Sequence, residues 1–168
     1  MTPALRTDRL ILRPLVASDA PELTAHLANW DVTKWLSAPP WPYTIDDAKW
    51  FIAQDYPEHW AIEMGANLCG VISFHPDLGY WLAKAHHGKG LMSEAVSTVL
   101  EWRFSRSDET VVSGHFQGND ASRAVLRKFG FIDTHVETQF ARPLGRDVEI
   151  QRMELTADRW HSLRNTKQ

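Results

Sequence analysis

The stretch Gly79-Tyr80-Trp81-Leu82-Ala83-Lys84-Ala85-His86-His87-Gly88-Lys89-Gly90-Leu91-Met92-Ser93-Glu94-Ala95 decides the fold. Leu78 to Leu82 is aromatic and aliphatic without a helical period, and reads as a short strand. Met92, Val96, Leu100 and Phe104 then recur at every fourth position, with Ala95, Val99 and Trp102 in the adjoining row, which predicts a helix running to about Arg106. Between strand and helix, Gly88 and Gly90 flank Lys89. Such a loop suits an anion, because glycines let the backbone approach closely and the helix N-terminus presents N–H groups and partial positive charge. The plain alternative is an ordinary glycine turn ahead of a helix, since a lone glycine motif is weak.

Two phosphate loops are excluded by spelling. A Walker loop needs Gly where Ala83 stands and Ser or Thr where Gly90 stands. A dinucleotide fingerprint needs a third Gly at Ser93. A second stretch, Asn119-Asp120-Ala121-Ser122-Arg123-Ala124-Val125-Leu126-Arg127-Lys128-Phe129-Gly130-Phe131, predicts a helix with both ends written in: Asn119 or Asp120 as cap, Gly130 just past the end. Together the two stretches resemble the GNAT acyl-CoA-dependent N-acetyltransferases. His87-Gly88-Lys89-Gly90-Leu91-Met92 stands where that superfamily has its Gln/Arg-x-x-Gly-x-Gly/Ala loop. The second stretch looks like its Asn-x-x-Ser/Ala…Lys-x-Gly-Phe helix. A third piece, Thr7-Asp8-Arg9-Leu10-Ile11-Leu12-Arg13-Pro14-Leu15 followed by Asp19-Ala20, looks like the opening of the RimJ/RimL-type branch, which includes the ribosomal-protein N-terminal acetyltransferases. The resemblance runs from about Leu5 to Leu155.

That resemblance implies a single α/β GNAT domain over residues 1–168, with a mixed, mostly antiparallel sheet, flanking helices and a splayed cleft for acyl-CoA. It implies acetyl transfer from acetyl-CoA to a primary amine by direct attack, with no acyl-enzyme and no metal. Gly88, Lys89, Gly90, Leu91, Met92 and Ser93 would hold the pyrophosphate, with His87 opening the loop. Backbone groups near Trp81 and Leu82 would pair with the pantetheine amides and the developing oxyanion. Asn119 would bond the pantetheine arm. Arg127 and Lys128 are candidates for the nucleotide phosphates, or solvated helix-face charges.

The chain departs from the wider pattern. His87 replaces Gln or Arg, Met92 replaces Gly or Ala, and Leu126 stands where many members carry a Tyr that protonates the leaving thiolate. In the RimJ/RimL-like branch the Ser of Asn-x-x-Ser takes that part, so Ser122 is the candidate acid or thiolate donor; its alternatives are a pantetheine contact or a helix cap. An α-amino group, with a pKa of about 7.7–8.0, needs only a modest base. Glu137 is the first candidate, with His75 and His115 behind it. Glu94 has a sufficient reason in the helix dipole. His86-His87 is rejected as a metal site, because adjacent side chains diverge and nothing is spaced to complete it.

Composition bounds the rest. The 168 residues, 43% hydrophobic and 23% charged, suit one globular domain. A net charge of −3 gives no electrostatic case for nucleic acid or an acidic membrane surface. The single Cys69 excludes an internal disulfide and, within an apolar run, reads as a buried inert thiol. No signal peptide or bilayer-length apolar run is seen, which points to the cytoplasm. The expected partner is an amine substrate, a protein N-terminus or a small molecule, with a homodimer allowed for; a non-catalytic acyl-CoA sensor is the rival class. Of the 8 Trp, Trp30, Trp35, Trp41, Trp50 and Trp60 fall early, near Pro39, Pro40 and Pro42. Trp35 and Trp41 are the candidate acceptor wall.

Along the chain, the predicted elements are a strand over Arg9–Leu15, a helix over Asp19–Leu27 opened by an Asp19/Glu22 capping box, irregular chain from Trp30 to Tyr43, and a helix from the Thr44 cap to Gln54. Strands follow over Trp60–Met64, Leu68–Phe74 and, after the glycine helix, Thr110–His115. A closing pair over Phe131–Phe140 and Asp147–Leu155 carries a bulge near Gln151.

Overall fold

The glycine loop and its helix sit against two antiparallel sheets. In the computed structural model, which describes residues 1–166, the first sheet has the order β1 (Leu5–Arg6), β2 (Ile11–Arg13), β3 (His59–Met64), β4 (Asn67–Phe74), β5 (Leu78–Leu82). The second has the order β6 (Val111–Phe116), β8 (Arg146–Leu155), β7 (Ile132–Ala141). Helices α1 (Ala20–Leu27), α2 (Trp30–Thr33) and α3 (Ile45–Ala53) precede β3, α4 (Leu91–Phe104) joins the sheets, α5 (Asp120–Lys128) follows β6, and α6 (Ala157–Asn165) ends the described chain. Every ladder is antiparallel.

β4 is apolar and buried from Leu68 to Ile72 because both its faces are covered there. Leu68 and Val71 pack with Leu23, Leu27 and Ala48 of α1 and α3. Cys69 and Ile72 pack on the other side with Leu91, Ala95, Val96, Val99 and Leu100 of α4. The phase change comes from a register shift opposite Ile62 and Glu63, which gives β4 one extra residue at Cys69. Burial pushes the Cys69 thiol pKa up, as expected of an inert core cysteine.

Several local readings change. The Asp19/Glu22 capping box is not formed. The Asp19 carboxylate instead accepts from the Arg13 guanidinium at 2.8 and 2.9 Å and from the Val16 N–H at 2.8 Å, while Glu22 accepts from the Leu68 N–H at 3.0 Å. A buried carboxylate takes the cation on the neighbouring strand over an orphan helix N–H, since the charge-assisted pair is stronger. Thr44, by contrast, does form its box, with Asp47. The first strand is shorter than predicted and gains β1 as a partner. Trp30–Tyr43 contains α2, capped by Asn29. The bulge lies in β7, between Asp133 and Val136, opposite the predicted site in β8.

Helix α6 extends past the last predicted element. Thr156 caps it, Ala157 and Trp160 are buried, and the Trp160 ring stacks on Phe104 at 5.5 Å. It packs tightly over Gly130, whose φ is +95° and where a Cβ would lie 2.4 Å from Leu163. Gly130 is favoured by its backbone angle, while the Leu163 side chain could turn aside for a Cβ.

Candidate active site

β5 and β6 meet at one end, where Ser113 Oγ donates to the Leu78 carbonyl at 2.8 Å. Beyond that point they line opposite walls of a cleft of about 900 Å³, with α4 and α5 contributing their N-termini. The backbone of β5 is divided between its two edges. Ala83 N–H donates to Cys69 O at 2.7 Å, so the antiparallel alternation turns the Trp81 groups to Val71 and those of Leu78, Tyr80 and Leu82 away from β4. Two of the outward carbonyls are taken: Leu78 by Ser113, and Leu82 by His87 Nε2 at 2.8 Å. The Leu82 N–H and both Tyr80 groups therefore face the cleft. The Trp81 indole lies on the opposite face, edge-on to His26 at 6.4 Å.

The loop has the geometry an anion requires. Gly88 and Gly90 hold φ of +73° and +75°, and nothing lies within 4 Å of where a Gly88 Cβ would stand. Gly90 caps α4, and Glu94 N–H is the first to find a helical acceptor, Gly90 O at 3.1 Å. The N–H groups of Leu91, Met92 and Ser93 precede it with no helical carbonyl to bond. Leu91 and Met92 bury their side chains in the core, so only their backbones serve the cleft, while Lys89 is exposed. His87 acts as a latch to β5 through its ring.

The loop is held from behind by the chain opening. Glu94 Oε1 accepts from the Thr7 hydroxyl and, at 2.9 Å, from the Arg9 N–H; Arg9 Nε reaches Oε2 at 2.8 Å and Arg9 Nη1 reaches the Lys89 carbonyl at 3.0 Å. Partial burial pushes the Glu94 carboxyl up, but Thr7 and Arg9 outweigh it and hold it below its ordinary value. Glu94 thus has a partner as well as a dipole.

α5 starts on Asn119, whose Oδ1 accepts from Ser122 N–H at 3.3 Å. The Ser122 hydroxyl lies 3.1 Å from the Tyr80 hydroxyl. Tyr80 was not singled out in the sequence, because its partner is 42 residues away. Arg127 pairs with Asp133 at 3.1 Å and Lys128 lies over the Phe129 ring; neither lines the cleft.

The second sheet supplies a wall with two distinct faces. Cross-strand pairing puts Phe116, Ile150 and Glu137 on one face, with Gly114 and Arg152. Glu137 Oε1 lies 3.5 Å from Arg152 Nε, and Arg152 also pairs with Asp77. His115, the neighbour of Phe116, points to the opposite face. It is buried, its Nδ1 is 3.0 Å from the Phe116 carbonyl, and its Nε2 has no partner among the described residues. Glu137, His75 and His115 all line the cleft, but Glu137 and His115 do so from opposite sides of the sheet. Trp35 lines it as well, edge-on to Phe116 at 6.4 Å. Trp41 does not; it packs on Trp30 at 4.8 Å.

Residues 9–132 match the acetyltransferase (GNAT) domain family. This chain belongs to the GNAT acetyltransferase family. It is an acetyl-CoA-dependent acetyltransferase. It is 32% identical to the uncharacterized N-acetyltransferase YoaA of Bacillus subtilis (strain 168), over 83% of this chain and 89% of that protein. It is 31% identical to the putative ribosomal N-acetyltransferase YdaF of the same organism, over 60% of this chain and 64% of that protein. Its fold matches RimL, a ribosomal L7/L12 alpha-N-protein acetyltransferase solved with coenzyme A, with a TM-score of 0.77 at 20% identity, covering 94% of this chain and 99% of that one.

Proposed function

We propose that this acetyltransferase acts on the α-amino group of a protein N-terminus. The observation that carries the reading is the shape of the acceptor side. The cleft adjoins a second groove of about 620 Å³, and Lys34, Trp35 and Phe116 line both. A small amine would be accommodated by the cleft alone, whereas a peptide needs room for the chain that follows its first residue. The names of YdaF and RimL support the same substrate class.

The cofactor cradle fits acetyl-CoA: two positive-φ glycines, with open space where a Gly88 Cβ would stand, N–H groups at the start of α4 without helical acceptors, and an outward Leu82 N–H. Gly88 to Ser93 hold the pyrophosphate through backbone N–H groups, Tyr80 and Leu82 pair with the pantetheine arm, and Asn119 assists. Bound acetyl-CoA supplies an activated acetyl thioester. The Leu82 N–H faces the developing oxyanion, Ser122 donates to the leaving sulfur, and Glu137 receives the amine proton directly or through one water. Lys89 is an exposed cation within the glycine loop itself, whereas Arg127 and Lys128 stand two turns along α5 and do not line the cleft.

The test is thiol release from acetyl-CoA with peptides bearing free or blocked N-termini, alongside amino-acid amides and other small amines. Mass spectrometry should place the acetyl group on the peptide α-nitrogen. Equal turnover of an amino-acid amide and a longer peptide would assign the site to small amines instead.

A further inference from the structure

The Tyr80–Ser122 contact carries more than packing. Tyr80 lies on β5 and Ser122 in the first turn of α5, so their hydroxyls meet across the two elements that flank the cleft. The phenol has one proton to give and finds two acceptors on the same residue, Ser122 Oγ at 3.1 Å and Ser122 O at 3.2 Å. When the proton goes to Oγ, the serine O–H is released from any bond to Tyr80 and is free to donate elsewhere. Val125 and Leu82, both on the cleft lining, supply no acceptor side chain that would compete for it, and the Asn119 Oδ1 beside it already accepts from the Ser122 N–H.

The geometry points to Tyr80 as a positioning residue: its O–H donates to Ser122 Oγ and aims the serine proton at the sulfur that leaves. This rests on the reading of Ser122 as the sulfur's donor. In the step, the amine N–C bond forms as the thioester C–S bond breaks and its electron pair departs on sulfur. Ser122 O–H donates a hydrogen bond to that charge and Tyr80 O–H donates to Ser122 Oγ. The amine loses one proton to base, the thiolate regains one from solvent, and both hydroxyls end the step protonated. Burial suits Tyr80 to this part, pushing its pKa up to about 12 against a partial offset from Ser122, so it stays a donor at any working pH.

Coenzyme A itself is the probe, which makes the test independent of the acceptor. The ultraviolet absorbance of the thiolate, titrated with pH on protein-bound coenzyme A, reports the thiol pKa. The wild type should depress it. Tyr80→Phe and Ser122→Ala should each raise it by about one pH unit, the shift one hydrogen bond to a charged group produces, and the double variant should raise it no further than Ser122→Ala alone. Ser122→Thr, which keeps a hydroxyl, should stay near wild type. Tyr80→Phe retains the ring, and its thermal melt checks that the core is intact. A shift with Ser122→Ala but none with Tyr80→Phe, or shifts that add, would overturn the role of Tyr80 and leave that of Ser122 standing. No shift with either would overturn both, and no binding of coenzyme A by the wild type would overturn the cofactor reading itself.

Discussion

Arg9 and Glu94 are joined twice across 85 residues of sequence: the Arg9 N–H and its Nε each donate to a different oxygen of one carboxylate, at 2.9 and 2.8 Å. The same guanidinium reaches the Lys89 carbonyl, between the two loop glycines. The chain opening thereby fixes the loop from the side away from the cleft. Glu94→Gln should weaken acetyl-CoA binding several-fold, because it loosens the N–H groups that must converge on one anion. Isothermal titration decides it. A lower melting temperature with unchanged affinity would mean that the clasp only anchors α4.

Gly90→Val should abolish the rise in melting temperature that acetyl-CoA gives the parent protein. At φ +75° a side chain costs about 1–2 kcal/mol, and a β-branched one more. Gly88→Ala is the milder companion. Its Cβ would meet nothing within 4 Å, so its effect should be the strain alone, about 1 kcal/mol. Retention of the full thermal shift in Gly90→Val would show that the anion does not depend on this backbone conformation.

Acid should unfold this protein partly through Asp19 and Glu94. Burial pushes Asp19 up, but the Arg13 guanidinium and the Val16 N–H outweigh it, and its folded pKa lies below the ordinary carboxylate value, as does that of Glu94. Both groups bind protons more weakly folded than unfolded. Their contribution is therefore fully present above the unfolded values near 4 and is lost as pH falls through the lower, folded values. Asp19→Asn should cost about 2 kcal/mol at neutral pH, because it strands part of a buried ion pair, and should flatten the acid limb of a stability–pH curve. An acid limb identical to wild type would assign acid lability elsewhere.

How legible each feature was in the sequence followed how local its cause is. Helix α4, the Thr44 cap and the Gly130 terminus were readable because period, cap and left-handed residue act over a few positions. Asp19-x-x-Glu22 carries the spacing of a box as plainly as Thr44-x-x-Asp47 does, yet only the second forms. The difference is Arg13, which reaches Asp19 from β2 and outcompetes the helix end. Helix α6 was hidden because its buried stripe, Ala157 and Trp160, is short and set among charges; the Thr156 cap and that three-residue spacing were the available signal. Tyr80 carried no signal at all, since its meaning depends on Ser122 across the cleft. Glu137 and His115, ranked first and behind it as candidate bases in the sequence, are set on opposite faces by the pairing of Phe116 with Ile150 and of Ile150 with Glu137.

The acceptor wall offers the sharpest test of placement. Trp35 and Trp41 were indistinguishable as rings among prolines in a segment without clear periodicity. In the fold, Trp35 lines the cleft beside Phe116 and also lines the second groove, whereas Trp41 packs at a tilt against Trp30 at the surface with 39% of its area exposed. Removing a ring that touches bound substrate in ground and transition state alike raises KM and spares kcat. Trp35→Ala should therefore raise the KM for a peptide acceptor several-fold and leave acetyl-CoA affinity unchanged, since the donor cradle is built from β5, α4 and α5. Trp41→Ala should change either constant by less than about twofold, because the ring it loses contacts Trp30 rather than the cleft. Shortening the peptide should erase the Trp35→Ala effect if Trp35 contacts residues beyond the first, and preserve it if the ring packs on the first residue alone. A larger KM effect from Trp41→Ala than from Trp35→Ala would move the acceptor path out of the cleft and onto the Trp30–Trp41 surface.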